Sequence, residues 1–489
     1  MRFHRFSRTP VAAAIGAAVL ALGAGQAWGS AFALQEQNAS GLGHAYAGGA
    51  AAAEDVSTIF YNPAGLVRLT KTQAVIAANL ICLSAKFRDS ASQPAMFQTL
   101  GGTGGDAGDC AVVPNLYIGV PFTDKWSFGL GINAPFGLKT EYDSTWLGRF
   151  QAIESKIETI NINPVLSWEP TKNLTVGGGF SWQRVKATLT SNFNYAGLFA
   201  QGVGAAAAAG QIPPAAVPPL IGSGAGLQTN AKVDGDDNSW GWNVGVLWQA
   251  SEQTRIGAAY RSKIDYTVGG TANFSNPTAA SLGPLPPPLQ PAGALIVGGT
   301  NAVVCGGLAN PKPANPDGSC SDNVSLKVKF PDTANVSIFH QFNNQWDLMA
   351  DVQWTGWSSI QALTIVRSTG EVLLNTPENF RNTWRVSAGA NYRYTDQWIF
   401  RGGVAWDQSP VNDTDRTPRL PDNDRTWLAL GVQYKFSPSW AVDLAYAYIW
   451  VKTPNINQNA GSTPSFGLIN GSYNTNVNIV GLQLTYTVQ

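Results

Sequence analysis

The chain has 489 residues, of which 13% are charged, with 17 Trp and 52 Gly. The charged share is about half the roughly 25% of ordinary globular proteins. Lys plus Arg equal Asp plus Glu at 31 each, and no basic stripe or charged tail is present, which excludes nucleic-acid binding and a long disordered tail. No run of about 18 apolar residues follows the N-terminus, so spanning helices are not expected. Few charges and many aromatics then point to a membrane β-barrel whose outer wall faces lipid.

Residues 1–29 read as a secretory signal peptide. Arg2, Arg5 and Arg8 form a positive start, residues 11–22 are apolar, and Ala27-Trp28-Gly29 offers small residues for cleavage before Ser30. The apolar run of 12 residues is too short for a membrane anchor. The features predict a bacterial envelope protein. Its mature part loses three positive charges and becomes slightly acidic.

Residues 30–71 follow, compact and rich in small side chains, with Ser40-Gly41-Leu42-Gly43 and Asn62-Pro63-Ala64-Gly65. They do not alternate as a strand would. A barrel of this size is wide enough to hold such a segment as a plug.

From residue 72 to 489 the sequence alternates with period 2. Trp440, Val442, Leu444, Tyr446, Tyr448 and Trp450 share one face, while Ala441, Asp443, Ala445 and Ala447 share the other. Trp346, Leu348, Ala350, Val352 and Trp354 alternate in the same way with Asp347, Met349, Asp351 and Gln353. Aromatics bracket several of these apolar faces, as interface girdles require. Short spacers fall at 122–124, 169–172, 251–252, 343–344, 395–396 and 437–439. Long ones fall at about 87–109, 136–154, 192–229, 269–320, 368–381, 408–424 and 452–473. Short and long alternate strictly. The pattern predicts an all-β membrane protein, a 14-stranded antiparallel outer-membrane barrel with periplasmic turns and extracellular loops.

Two of the long loops are apolar. Residues 192–229 carry Leu198 and Phe199, and residues 269–320 carry Leu282 and Leu285. Apolar loops must pack on one another or on a greasy solute, so these four residues are candidates for a capture groove. Cys82, Cys110, Cys305 and Cys320 allow three disulfide connectivities. Local loop closure favours Cys82–Cys110 and Cys305–Cys320. No Cys-x-x-Cys spacing suggests a metal, and no cofactor is expected.

The stretch Ser30-Ala31-Phe32-Ala33-Leu34-Gln35-Glu36, then Ser40-Gly41-Leu42-Gly43, Ala45-Tyr46-Ala47-Gly48 and Asn62-Pro63-Ala64, resembles the N-terminal hatch of FadL-type long-chain fatty acid transporters. That family also includes outer-membrane transporters for toluene and related aromatics. Further similarity runs through Trp240-Gly241-Trp242-Asn243, Tyr260-Arg261-Ser262, Asp407-Gln408-Ser409-Pro410-Val411 and Leu420-Pro421-Asp422-Asn423-Asp424-Arg425-Thr426-Trp427.

The resemblance implies passive uptake of a hydrophobic molecule, with no enzyme activity. The ligand is captured between extracellular loops and passes to a pocket lined by the hatch, to which Phe32, Leu34, Asn62, Pro63 and Ala64 belong. It leaves sideways through a gap made by an inward kink of the third strand. Here that strand covers 126–133, and Gly129, Gly131 and Pro135 are the expected gate residues. The expected partners are the ligand, outer-membrane lipid and lipopolysaccharide, with the protein acting as a monomer.

The family's pocket Arg and Lys fall on Ser191 and Thr364 here, neither basic; Arg184, Lys186 and Arg367 are possible replacements. The chain also ends in Tyr486-Thr487-Val488-Gln489 rather than in an aromatic residue. Uncharged aromatic hydrocarbons therefore stand beside fatty acids as candidate ligands. A polar pore using Asp347, Asp351, Arg385 and Arg393 is a different class, as is a surface receptor or adhesin.

Overall fold

The computed structural model describes residues 31–458 and 465–489; the expected signal peptide lies outside the described residues. The period-two segments form fourteen antiparallel strands among these residues. They are β1 Gln73–Asp89, β2 Cys110–Thr123, β3 in the segments Trp126–Asn133 and Gly137–Glu141, β4 Glu154–Thr171, β5 Leu174–Phe193 and β6 Thr229–Gln249. β7 comprises Thr254–Arg261 and Ile264–Ser275, β8 Ser319–Phe330 and Thr333–Gln341, β9 Trp346–Thr355 and Ala362–Arg367, and β10 Val372–Pro377 and Thr383–Arg393. β11 Trp398–Asp407, β12 Arg425–Lys435, β13 Trp440–Val451 and β14 Ile469–Thr487 complete the wall. β14 closes on β1, from Gln73 opposite Thr487 to Asp89 opposite Gly471. Closure leaves no lipid-exposed edge.

Alternation sets the two faces of the wall. On β13, Asp443, Ala445 and Ala447 are buried towards the lumen, while Trp440, Leu444, Tyr446 and Trp450 are exposed outside. Near the short turns, outward aromatics pair across strands: Trp126 with Trp168 at 5.4 Å, Trp398 with Tyr434 at 4.4 Å and Trp440 with Tyr486 at 4.6 Å. These pairs form the lower girdle.

Several sequence boundaries need correction, and two of them bear on the site. The spacer expected at 136–154 begins with five more strand residues, because β3 resumes at Gly137 after a bend. The spacer expected at 368–381 is a short turn followed by Val372–Pro377, which pairs with the upper part of β9.

Residues 31–71 occupy the lumen, with two single-turn helices, α1 Ala39–Leu42 and α2 Thr58–Tyr61. The wall holds this plug by hydrogen bonds to its backbone. Arg385 donates to Ala45 O at 2.8 Å, Arg255 to Ala51 O and Ala52 O, Arg261 to Phe60 O, and Asn79 to Glu36 O at 2.8 Å. Glycines of the wall permit the close approach. A Cβ on Gly257 would lie 1.9 Å from Ala50 O, a contact only glycine avoids.

The two apolar loops fold into helices: α3 Tyr195–Ala208, α4 Val217–Ser223 and α5 Gln290–Gly306. Phe199, Val203 and Ala206 on α3 pack with Leu220, Ile296 and Val297, and Tyr195 donates to Asn301 Oδ1 at 2.7 Å. The helical stretch Pro287–Gly306 is long and apolar enough to cross a membrane, but its packing onto α3 puts it in this extracellular layer.

Candidate functional site

Among the cavities of the barrel interior, two unlike ones lie on opposite sides of the plug. The upper one, of about 80 Å³, lies between the plug, the wall and the loop 408–424. Its walls come from Leu138 on β3, Ile157 on β4, Val185, Ala187 and Leu189 on β5, Val268 on β7, Leu326, Val328 and Phe330 on β8, Leu363 on β9 and Ile360 between the two segments of β9. Phe32 of the plug forms the floor. Its ring lies 5.2 Å from Phe330, 5.8 Å from Phe136 and 4.8 Å from Trp357.

Two ionisable side chains border this apolar space. Glu378, just above the membrane-spanning part of β10, is 4% exposed, and Arg419 of the loop 408–424 is 6% exposed. Arg419 donates to Glu154 O at 3.1 Å and Ser155 Oγ at 2.9 Å. Burial pushes the Glu378 carboxyl up to about 8 against the opposing pull of Arg419. Burial also pushes the Arg419 guanidinium down to about 10, which leaves it charged at neutral pH.

The lower cavity opens at the short-turn end, with a volume of about 470 Å³. Glu54 and Asp55 of the plug face Arg255, Asp347, Arg393, Arg401 and Lys435 of the wall there. Glu54 approaches His44 at 3.4 Å and Arg401 at 3.6 Å. Burial alone would raise its pKa, but Arg401 and His44 outweigh it and hold the carboxyl below the usual carboxylate range. The lumen charges expected of a polar pore are all engaged: Arg385 with the plug, Asp351 with Ser337, and Asp347 with Arg393.

The third strand departs from the wall beside the upper cavity. β2 and β3 pair from Thr123 opposite Trp126 up to Leu116 opposite Ile132. Above that, residues Cys110–Asn115 of β2 keep their pairing with β1 but, among the described residues, have no strand paired on the β3 side. The upper segment of β3 still pairs with β4. At the bend, Leu34 N donates to Pro135 O at 2.8 Å and Gly137 N to Phe32 O at 2.9 Å. The plug has taken over the ladder positions that β2 would occupy.

The structure distributes the sequence candidates as follows. Pro135 sits at the bend, whereas Gly129 and Gly131 lie in the paired part of β3 and face the plug, where added Cβ atoms would meet Ile59. Phe32 and Leu34 flank the bend. Asn62 donates to Ala50 O and Val246 O and caps the turn starting at Pro63 and Ala64. Phe199 is fully buried in the loop core with Leu282 and Leu285 packed beside it, and Leu198 joins a neighbouring cluster. Disulfides join Cys82 to Cys110 and Cys305 to Cys320.

None of the candidate cations borders the upper cavity. Arg184 pairs with Asp236 on the outer face at 2.8 Å, and Lys186 is exposed. Arg367 binds Asp322 and the last carbonyls of α5, so it caps that helix. Ser191 is buried, while the Thr364 hydroxyl donates to Asn375. The cation at the cavity is Arg419, which sequence reasoning missed. It directly precedes the recognised Leu420-Pro421-Asp422-Asn423 stretch, a signal that could have flagged it.

Residues 20–488 match the family described as "Outer membrane protein transport protein (OMPP1/FadL/TodX)". The long-chain fatty acid transport protein of Shigella flexneri is 27% identical over 445 residues, covering 90% of this chain and 92% of that protein. Outer membrane protein P1 of Haemophilus influenzae is 30% identical over 495 residues, covering 96% and 98%. The crystal structure of a Pseudomonas aeruginosa FadL homologue superposes with a TM-score of 0.78 at 28% identity, covering 93% and 99%.

Proposed function

The chain belongs to this family of bacterial outer-membrane transport proteins, and from that premise we propose that it takes up long-chain fatty acids by a sideways route through the barrel wall. The observation that carries the reading is the contrast between an apolar upper cavity and a lower cavity ringed by charges. An alkyl chain gains about 0.8 kcal/mol per buried CH₂ in the first. It gains nothing comparable in the second, whose walls are charged and polar.

The route follows from that contrast. Apolar loops collect the ligand from the lipopolysaccharide layer, and the upper cavity receives it. The unpaired stretch of β2 beside the Pro135 bend offers an exit at the level of the outer membrane. No energy input is needed, because each site is weak enough to release its ligand.

A second reading, an uncharged aromatic hydrocarbon, is favoured by the modest volume of the upper cavity. Uptake measured in a strain lacking the gene separates the readings. Slower oleate uptake supports the first, and slower toluene uptake supports the second. Unchanged uptake of both would refute hydrophobic transport by this protein.

A further inference from the structure

Resting on the uptake reading, we propose that Arg419 and Glu378 together form a head-group site that takes a single carboxylate at the end of an alkyl chain. The two residues border an otherwise apolar cavity. Arg419 uses only Nη1 for its bonds to Glu154 O and Ser155 Oγ. Its Nε and Nη2 donors hold no partner among the described residues. The Glu378 side chain also makes no hydrogen bond among the described residues, although it is 4% exposed. These atoms are not among the sealed, unpartnered polar atoms of the interior, so they stay open to a ligand that can accept from them.

The chemistry of the missing partner follows from what the two groups offer. Arg419 can only donate. Glu378, with its carboxyl pushed up to about 8 by burial, also carries a proton to donate at neutral pH. The charged groups acting on Glu378 are Arg419, which lowers its pKa, and Asp415, which raises it. A cation beside a neutral acid presents donors and one net positive charge. A carboxylate is acceptor-only and singly negative, so it fits both demands. A hydroxyl satisfies the hydrogen bonds without the charge, and a hydrocarbon satisfies neither.

Glu378 also makes the site pH-sensitive. Above about 8 it loses its proton and faces the incoming carboxylate with a like charge. Recognition of the anion therefore weakens as pH rises from 7 to 9.5, while a fatty alcohol of the same chain length is little affected. This acid-plus-cation pairing differs from a site built on two cations.

The test uses the full mature chain in lipid nanodiscs, with oleate and oleyl alcohol as competing probes for a bound fluorescent fatty acid. At pH 7 the wild type should prefer oleate at least tenfold, and the preference should shrink at pH 9.5. Glu378→Gln should keep the preference at both pH values. Arg419→Leu should abolish it by lowering oleate affinity far more than alcohol affinity, and Arg419→Lys, which retains the charge, should restore most of it. Equal wild-type affinity for both probes would overturn the head-group site, as would a preference that survives Arg419→Leu. An unaltered pH profile in Glu378→Gln would remove Glu378 from it. Failure of the wild type to bind either probe would instead bring down the uptake reading, and the head-group site with it.

Discussion

The two ends of the lumen are built from the same alternating strands, yet they differ in every property that matters to a greasy ligand. Towards the loops, the inward positions of β5, β7 and β8 are Val185, Leu189, Val268, Leu326 and Val328. Towards the turns, inward positions become Arg255, Asp347, Arg393 and Arg401. The plug lies between and presents Phe32 upward and Glu54 downward. The comparison teaches that the barrel is not a tube with a stopper. It is an apolar chamber above a base ringed by charges, and that contrast is what the proposed sideways route rests on.

The largest expected effect comes from breaking the separation itself. Gly257→Leu puts a side chain where Ala50 O now lies 1.9 Å from a virtual Cβ. The obstacle is backbone, so the plug must shift, at a cost on the order of 1–3 kcal/mol. Planar-bilayer recordings should then show steady ion current where the wild type shows almost none. A silent Gly257→Leu barrel would mean that the plug seals by other contacts.

A smaller effect follows from making the upper chamber resemble the lower one. Leu138→Asp places an acid in the apolar wall, and oleate affinity should fall by roughly 10- to 100-fold, from an unfavourable term of about 1–3 kcal/mol. An acid placed in the charged base instead, Gln341→Asp, should change affinity less than twofold. Equal losses would erase the contrast.

The smallest effect sharpens the comparison through stability. The Glu378 carboxyl has a folded-state pKa of about 8, raised from an ordinary 4.5. Its contribution is therefore fully present below pH 4.5 and is lost as pH rises through 8. Glu378→Gln should melt closer to wild type at pH 5 and relatively higher at pH 9. Melting curves that shift in parallel across this range would contradict a buried, protonated Glu378.

Much of this organisation was legible in the sequence. Period-two patterns such as Trp440 to Trp450 are imposed by lipid on one face and plug on the other, so the strands and their orientation followed directly. The turns were legible for the same reason, since a short turn leaves no room for anything else. The bend in β3 was only half legible. Pro135 marked it, but Gly129 and Gly131 serve the close packing of the plug against Ile59, a contact distant in sequence. The loop helices were hidden by Ala, Gly and Pro, which mask the spacing of Phe199, Val203 and Ala206. Arg419 was marked only by its place before the Leu420-Pro421-Asp422-Asn423 stretch, and Glu378 not at all, because they come from segments distant in sequence that line one cavity only in the folded chamber.

The central claim is that the ligand enters the apolar chamber and leaves sideways, bypassing the charged base. The four native cysteines are all paired in disulfides, so single added cysteines can be labelled selectively. Val112, 48% exposed on the unpaired part of β2, marks the proposed exit; Lys435 lines the base. Each position is changed to Cys, capped with a bulky maleimide, and assayed for transfer of labelled oleate in reconstituted vesicles. The account predicts that the capped Val112→Cys protein loses transfer while the capped Lys435→Cys protein keeps it. Transfer that survives the cap at 112 and stops with the cap at 435 would contradict it.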